Sequence, residues 1–252
     1  MMLTVRVLGA FLVLPSGGPM RHGVEVGSRK ARTLLAMLAV SPGHLTTDRI
    51  AATLWGDAPP RDPAANIATL VSRLRATIGA PAVEKVGASY RLGADVRVDL
   101  RDTADLVANA ESLLWRGEPG PARTAALCAA RVLARGEVLA EQADALWAEP
   151  ARVWRRGLLR RARHTIAEAA LRVGDLETSR TAAANAVAED ILDETACRLL
   201  MRAHHEAGEP AQALRVYERL RTTLATELGI DPSAPTQELH LAILREAALS
   251  TT

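Results

Sequence analysis

The chain has 252 residues, 31 Lys+Arg against 29 Asp+Glu and 48% apolar side chains, which excludes intrinsic disorder and leaves ample material for folded cores. Alanine fills about a fifth of the chain and aromatic residues only 3% of it, so helix should dominate and a mainly β protein is excluded. The net charge of +2 divides unevenly: residues 1–95 hold 11 basic and 6 acidic side chains (+5), residues 96–252 hold 20 and 23 (−3), and the basic excess points to a polyanionic partner for the first part.

From the N-terminus, Leu3, Val5 and Val7 alternate with Thr4 and Arg6, as in a half-buried strand. Phe11 to Leu14 runs into the turn signal Pro15-Ser-Gly-Gly-Pro19, and Val24-Glu-Val26 follows as an expected third short strand of a small antiparallel sheet. The period then changes. Leu34, Leu35, Leu38 and Ala39 predict a helix over 29–40, stopped by Pro42-Gly43. Thr46 or Thr47 caps a second helix carrying Ile50, Ala51, Leu54 and Trp55, and Asp62-Pro63 opens a third that runs to Gly79. Val83 to Val86 and Ser89 to Leu92 face each other across Gly87-Ala88 as a hairpin.

Sheet, three helices and hairpin, in this order, predict a winged helix-turn-helix domain over 1–95. In its third helix, Ile67, Leu70, Val71, Leu74 and Ile78 gather on one face and form the expected core. The opposite face carries Ala65, Ala68, Thr69, Ser72 and Ala76, with Arg73 and Arg75 on its two flanks. A face of small side chains lets a helix backbone press into a major groove, where flanking arginines reach guanine edges or phosphates. The same face also suits an ordinary surface helix in an alanine-rich chain.

After Asp99 the pattern is almost continuously helical, with expected helices near 102–116, 121–135, 137–149, 150–173, 176–189, 193–207, 210–228 and 235–248. Gly174-Asp-Leu and Gly208-Glu-Pro lie 34 residues apart, each followed five residues on by a small residue, Ser179 and Ala213. That is the tetratricopeptide period, so residues 96–252 are expected to form an all-α, tetratricopeptide-like domain, with a plain helical bundle as the other possibility.

Arg32-Thr-Leu-Leu-Ala-Met-Leu-Ala-Val40, Thr47-Asp-Arg-Ile-Ala-Ala-Thr-Leu-Trp-Gly-Asp57 and Asn66-Ile-Ala-Thr-Leu-Val-Ser-Arg-Leu-Arg75 together resemble the DNA-binding domain of the Streptomyces antibiotic regulatory proteins. Leu214-Arg-Val-Tyr-Glu-Arg-Leu220 and Leu224-Ala-Thr-Glu-Leu-Gly-Ile-Asp-Pro-Ser233 are similar to the close of their bacterial transcriptional activation domain. The resemblance covers nearly the whole chain. It implies an OmpR-type winged helix that binds direct repeats of double-stranded DNA as a head-to-tail dimer near a promoter's −35 region and recruits RNA polymerase through its sigma and alpha subunits. It further implies activation of an antibiotic biosynthetic cluster from the cytoplasm, at the nucleoid. Carried over by position, Asn66, Thr69, Ser72, Arg73 and Arg75 face the groove, and Arg91, beside Tyr90, sits on the wing. The Ala64-Ala65 pair before Asn66 and the short wing depart from many relatives. A second reading keeps the winged helix off DNA and makes the chain a tetratricopeptide-like interaction or ligand-sensing adaptor.

Arg152, Arg156, Arg160 and Arg163 form a stripe opposite Trp154, Leu158, Ala162 and Ile166, read as the solvated side of an amphipathic helix or as a docking surface for polymerase or DNA backbone. Trp55, Trp115, Trp147 and Trp154 read as core anchors, and Cys128 and Cys197 as buried small residues. No Cys or His spacing suits a disulfide framework or a metal, since His204 and His205 point about 100° apart on a helix. No nucleophile or dinucleotide motif is present, so neither enzyme activity nor a cofactor is expected, and no apolar run reaches the roughly 18 residues of a membrane span.

Overall fold

The computed structural model describes residues 3–15 and 23–249. Two compact units divide the chain, Met1–Asp105 with Arg131–Gly157 and Leu106–Ala130 with Leu158–Thr252.

In the first unit, β1 (Leu3–Arg6) pairs antiparallel with β2 (Leu12–Pro15), and three helices follow: α1 (Arg29–Val40), α2 (Thr47–Trp55) and α3 (Pro63–Ile78). Each helix begins where a side chain satisfies an otherwise orphaned amide: Ser28 accepts from Ala31 N, Thr46 from Arg49 N and Asp62 from Ala65 N, with Pro63 in the first turn of α3. Leu34, Leu35, Leu38, Ile50, Ile67 and Leu74 close the core between them. β3 (Leu45–Thr46), β4 (Val83–Val86) and β5 (Ser89–Leu92) form a sheet of order β3-β5-β4, so the hairpin is anchored through β5 and leaves β4 at the edge.

The opening sheet differs from expectation in two ways. Val24–Val26 is not a strand: Val24 N donates to Val13 O at 2.8 Å, but no ladder continues from it. The third strand is instead β6 (Val96–Val98), which runs parallel to β1 and places Leu3 beside Val96. The turn expected at Pro15–Pro19 lies outside the described residues beyond Pro15.

The helix expected over 137–149 does not form. Gly136 has φ 149°, and a Cβ there would sit 3.0 Å from the Gly9 Cα, so the two glycines let the chain lie backbone to backbone. Gly9 N then donates to Glu137 O (3.0 Å) and Leu139 N to Val7 O (2.8 Å), leaving two short 3₁₀ turns, Ala140–Gln142 and Leu146–Ala148. Pairing with Val7 and Gly9, just past β1, takes the Glu137 carbonyl that a helix would need and holds this stretch extended.

In the second unit, α7 (Leu176–Glu189), α8 (Glu194–Glu206), α9 (Pro210–Glu227) and α10 (Ala234–Leu249) pack successively. The unit also takes parts of α4 (Asp99–Trp115), α5 (Pro119–Leu133) and α6 (Glu149–Arg172). Gly174 and Gly208, both at φ 75°, turn the chain where a side chain would be strained, and Ser179 and Ala213 beyond them are fully buried. Small residues at these points let helix backbones approach, as Ala182, Ala183, Ala186, Ala196 and Ala203 do throughout this core. Glu194 ties the loop before α10 back to α8 by accepting from Ser233 N (2.9 Å), Ser233 Oγ (2.6 Å) and Thr236 Oγ1 (2.6 Å). Tyr217 stacks on His240 with ring centroids 3.7 Å apart.

Three expectations of burial fail. Trp115, the last residue of α4, is 88% exposed, and Trp154 is 41% exposed because α6 turns Arg152, Arg155 and Leu158 inward instead. Cys128 is exposed, one position off the buried Ala122, Ala126, Ala129 and Leu133 row of α5, whereas Cys197 is buried. Burial, with Asp193 and Glu194 nearby, pushes the Cys197 thiol up to about 12.

Candidate nucleic-acid interface

The wheel of α3 has the expected polarity. Ile67, Leu70, Val71 and Leu74 are buried, while Ala65, Asn66, Ala68, Thr69, Ser72, Arg73 and Ala76 are exposed. Two of the polar groups on that face are bonded along the helix: Asn66 Nδ2 donates to Asp62 O (2.8 Å) and Thr69 Oγ1 to Ala65 O (2.9 Å). Such bonds leave the Asn66 Oδ1 acceptor and the hydroxyl lone pairs of Thr69 facing outward. Arg73 makes no side-chain hydrogen bond or ion pair among the described residues, and its guanidinium is available to an outside anion.

The other two arginines are engaged. Arg75 is partly buried and donates from Nε (2.9 Å) and Nη2 (2.7 Å) to the carbonyl of Val83, the first residue of β4. Arg91 stands opposite Glu84 across the hairpin and bonds it at 2.6 Å, and this guanidinium holds the Glu84 carboxyl below its usual range. The wing cation is therefore partly neutralised. Lys85, Arg49 and Arg61 carry no ion pair among the described residues and supply the unit's other free cations near α2, α3 and β4.

The stripe on α6 is not uniform. Arg152 is only 9% exposed and closes the 138–145 loop, donating to Gln142 O (2.7 Å), Ala145 O (3.3 Å) and Val138 O (3.4 Å), so it cannot belong to a docking surface. Arg155 does the same for Leu133 O (2.8 and 3.0 Å) and Glu137 (2.6 Å). Arg156 pairs with Glu149 at 2.9 Å, Arg163 pairs with Glu189, and Arg160 is exposed.

Sequence reasoning passed over three groups that frame this unit. Asp99, buried at the start of α4, accepts from Val7 N (2.8 Å) and Leu8 N (3.3 Å), and burial pushes its carboxyl up despite those bonds. Arg101 holds the end of α1 by donating to the carbonyls of Leu38 and Ser41. Gly93, after β5, lies against the backbone of Pro81, and its N–H donates to Ala82 O (3.0 Å). An acid directly after the Val96-Arg-Val98 alternation was the available signal for the first; the other two have none.

The sequence model of the family described as bacterial transcriptional activator domain matches residues 98–244. The chain belongs to that family. It is 34% identical over 254 residues to the regulatory protein AfsR of Streptomyces coelicolor, covering 90% of this chain and 24% of AfsR. It is 30% identical to the transcriptional regulatory protein EmbR of Mycobacterium tuberculosis, over 96% of this chain and 63% of EmbR. A solved structure of EmbR in complex with a low-affinity phosphopeptide superposes with a TM-score of 0.85 at 26% identity, covering 97% of this chain and 65% of that one. The chain thus spans about a quarter of AfsR and under two thirds of EmbR. The fold that family membership implies, a winged helix followed by tetratricopeptide-like helices, is the one described above. Among the described residues no helix is long and apolar enough to cross a membrane.

Proposed function

We propose that the chain is a sequence-specific DNA-binding transcriptional activator whose α3 enters a major groove and whose β4–β5 wing lies over the neighbouring backbone. The observation that carries this reading is the exposed small-residue face of α3 with the unpaired Arg73 beside it. Asn66, Thr69 and Ser72 supply the polar contacts within the groove, and Lys85 and Arg91 the wing contacts. The names of AfsR and EmbR as regulatory proteins support regulation in general. The resemblance to the Streptomyces antibiotic regulatory proteins supports the finer terms: direct repeats bound head to tail by two protomers near a −35 element, polymerase recruitment, and control of a secondary-metabolite cluster from the cytoplasm. The division of labour is 1–95 for DNA and 96–252 for activation, with the exposed Arg156 and Arg160 of α6, rather than Arg152, facing polymerase.

Genome-wide occupancy of the tagged chain, compared with Arg73→Ala, tests the reading. Sharp peaks over direct repeats that vanish in the variant support it, and on a repeat so found the logarithm of the binding constant falls with log salt at a slope near −0.9 per phosphate neutralised. Occupancy without peaks, together with binding that ignores duplex sequence, refutes it and leaves the adaptor reading. Charge reversal of Arg156 and Arg160 should lower transcription from an occupied promoter while occupancy persists.

A further inference from the structure

We infer that Arg75 is not a reader of DNA but the positioning residue of the wing, clasping the Val83 carbonyl so that the edge strand β4 is held at a set offset from α3. The inference rests on the DNA-binding reading above for its consequence, though not for its geometry. Two of the three guanidinium nitrogens, Nε and Nη2, converge on one acceptor at 2.9 and 2.7 Å, and the side chain is partly buried in making them. A charged donor on a neutral carbonyl outranks an ordinary hydrogen bond, and here it spans two elements.

The hairpin needs this tether on one side only. On the β5 side it is already fixed: β5 pairs with β3, and both Thr47 N (3.1 Å) and Thr47 Oγ1 (2.7 Å) donate to Ala88 O at the tip. Among the described residues no strand pairs with β4 on its outer side, and the side-chain hydrogen bond that joins it to α3 is that of Arg75. β4 carries Lys85, and it carries Glu84, whose carboxylate orients Arg91. The position of Lys85 and, through Glu84, the orientation of the Arg91 guanidinium relative to the groove-facing Arg73 therefore pass through Arg75. Arg73 and Arg75, two residues apart and on opposite flanks of α3, divide the work between reading and alignment.

The free chain supplies the first test. In Arg75→Ala and Arg75→Lys, amide exchange in Val83–Val86 should accelerate roughly tenfold or more while the amides of α1 stay at their wild-type rates, since lysine keeps the charge but cannot form the two-donor clasp. Unchanged exchange in β4 overturns the inference without reference to DNA. The second test uses the duplex that the wild-type chain recovers from a random-sequence pool. Hydroxyl-radical protection on the flank under the wing should weaken in both variants, whereas core protection and base preference stay as in wild type. Relaxed base preference at a core position, or wild-type flank protection in Arg75→Lys, overturns it. A pool that yields no preferred duplex refutes the DNA-binding reading instead, and the exchange result still decides the clasp.

Discussion

Replacing Gly93 by alanine should be among the most damaging single-methyl changes in the first unit. A Cβ at this position would overlap the carbonyl oxygen of Pro81 and sit 3.0 Å from its carbon and 3.6 Å from the carbonyl carbon of Ala82. All three atoms are backbone, so no flexible side chain can yield. Relief requires the Ala80–Ala82 turn to move away from β5, which stretches the bond from Gly93 N to Ala82 O and shifts Val83, buried at the start of β4. The cost should lie at the upper end of overpacking, about 3 kcal/mol. For a chain of this size each kcal/mol lowers the melting temperature by roughly 2–4 °C, so Gly93→Ala should melt roughly 6–12 °C below wild type. Gly43→Ala is the matched control: nothing lies within 4 Å of its Cβ, and its φ is outside the left-handed region, so the added methyl should leave stability unchanged or raise it by up to about 1 kcal/mol. Calorimetry or circular dichroism melting of the three proteins side by side decides the matter. Equal melting temperatures for Gly93→Ala and Gly43→Ala would show that the close approach at Pro81 is not a constraint and would refute the reasoning.

Other outcomes follow from the same packing. Arg152→Ala removes the guanidinium that bonds three carbonyls, of which those of Gln142 and Ala145 keep their turn bonds from Ala145 N and Ala148 N while that of Val138 loses its donor, and should cost about 2 kcal/mol, whereas Arg160→Ala, on the exposed side of α6, should melt with wild type. A thiol reagent should modify Cys128 rapidly and Cys197 only on unfolding, as mass spectrometry of the labelled peptides would report; early labelling of Cys197 would contradict its burial. Burial pushes the Glu194 carboxyl up, but the bonds from Ser233 and Thr236 outweigh it and hold the group below its ordinary value. A depressed carboxylate contributes stability that is present above its unfolded value of about 4.3 and lost as pH falls through the folded one. Glu194→Gln should therefore be less stable than wild type at neutral pH and converge with it in acid, and a gap that stays constant across urea titrations from pH 7 to pH 3 would count against the clip. For Asp99 the sign is opposite: its raised carboxyl favours the folded state most when protonated, and that contribution fades as pH rises through the folded value.

Helices and their ends were legible in the sequence because their causes lie within a few residues. The leucine spacing of 29–40, the Asp62-Pro63 start of α3 and the glycines after each turn act through i to i+4 contacts and amides a few residues away, and the elements fall where they predict. The hairpin across Gly87-Ala88 and the 34-residue recurrence of Gly174 and Gly208 were local in the same sense, and the family resemblance rode on those segments. What the sequence left open depended on partners far along the chain. Val96–Val98 is a strand because Leu3 and Val5 offer it a free edge, and 137–149 abandons helix because Gly9 and Gly136 admit a backbone contact with the Val7–Gly9 segment just past β1. Periodicity could place Arg73 and Arg75 on two flanks of α3, yet it could not say that one faces outward unpaired while the other is spent on Val83, nor that Arg152 turns inward to three carbonyls. Arginine carries long reach and several donors, so its role is set by which acceptors the fold brings within about 3 Å, and only the tertiary structure brings them there.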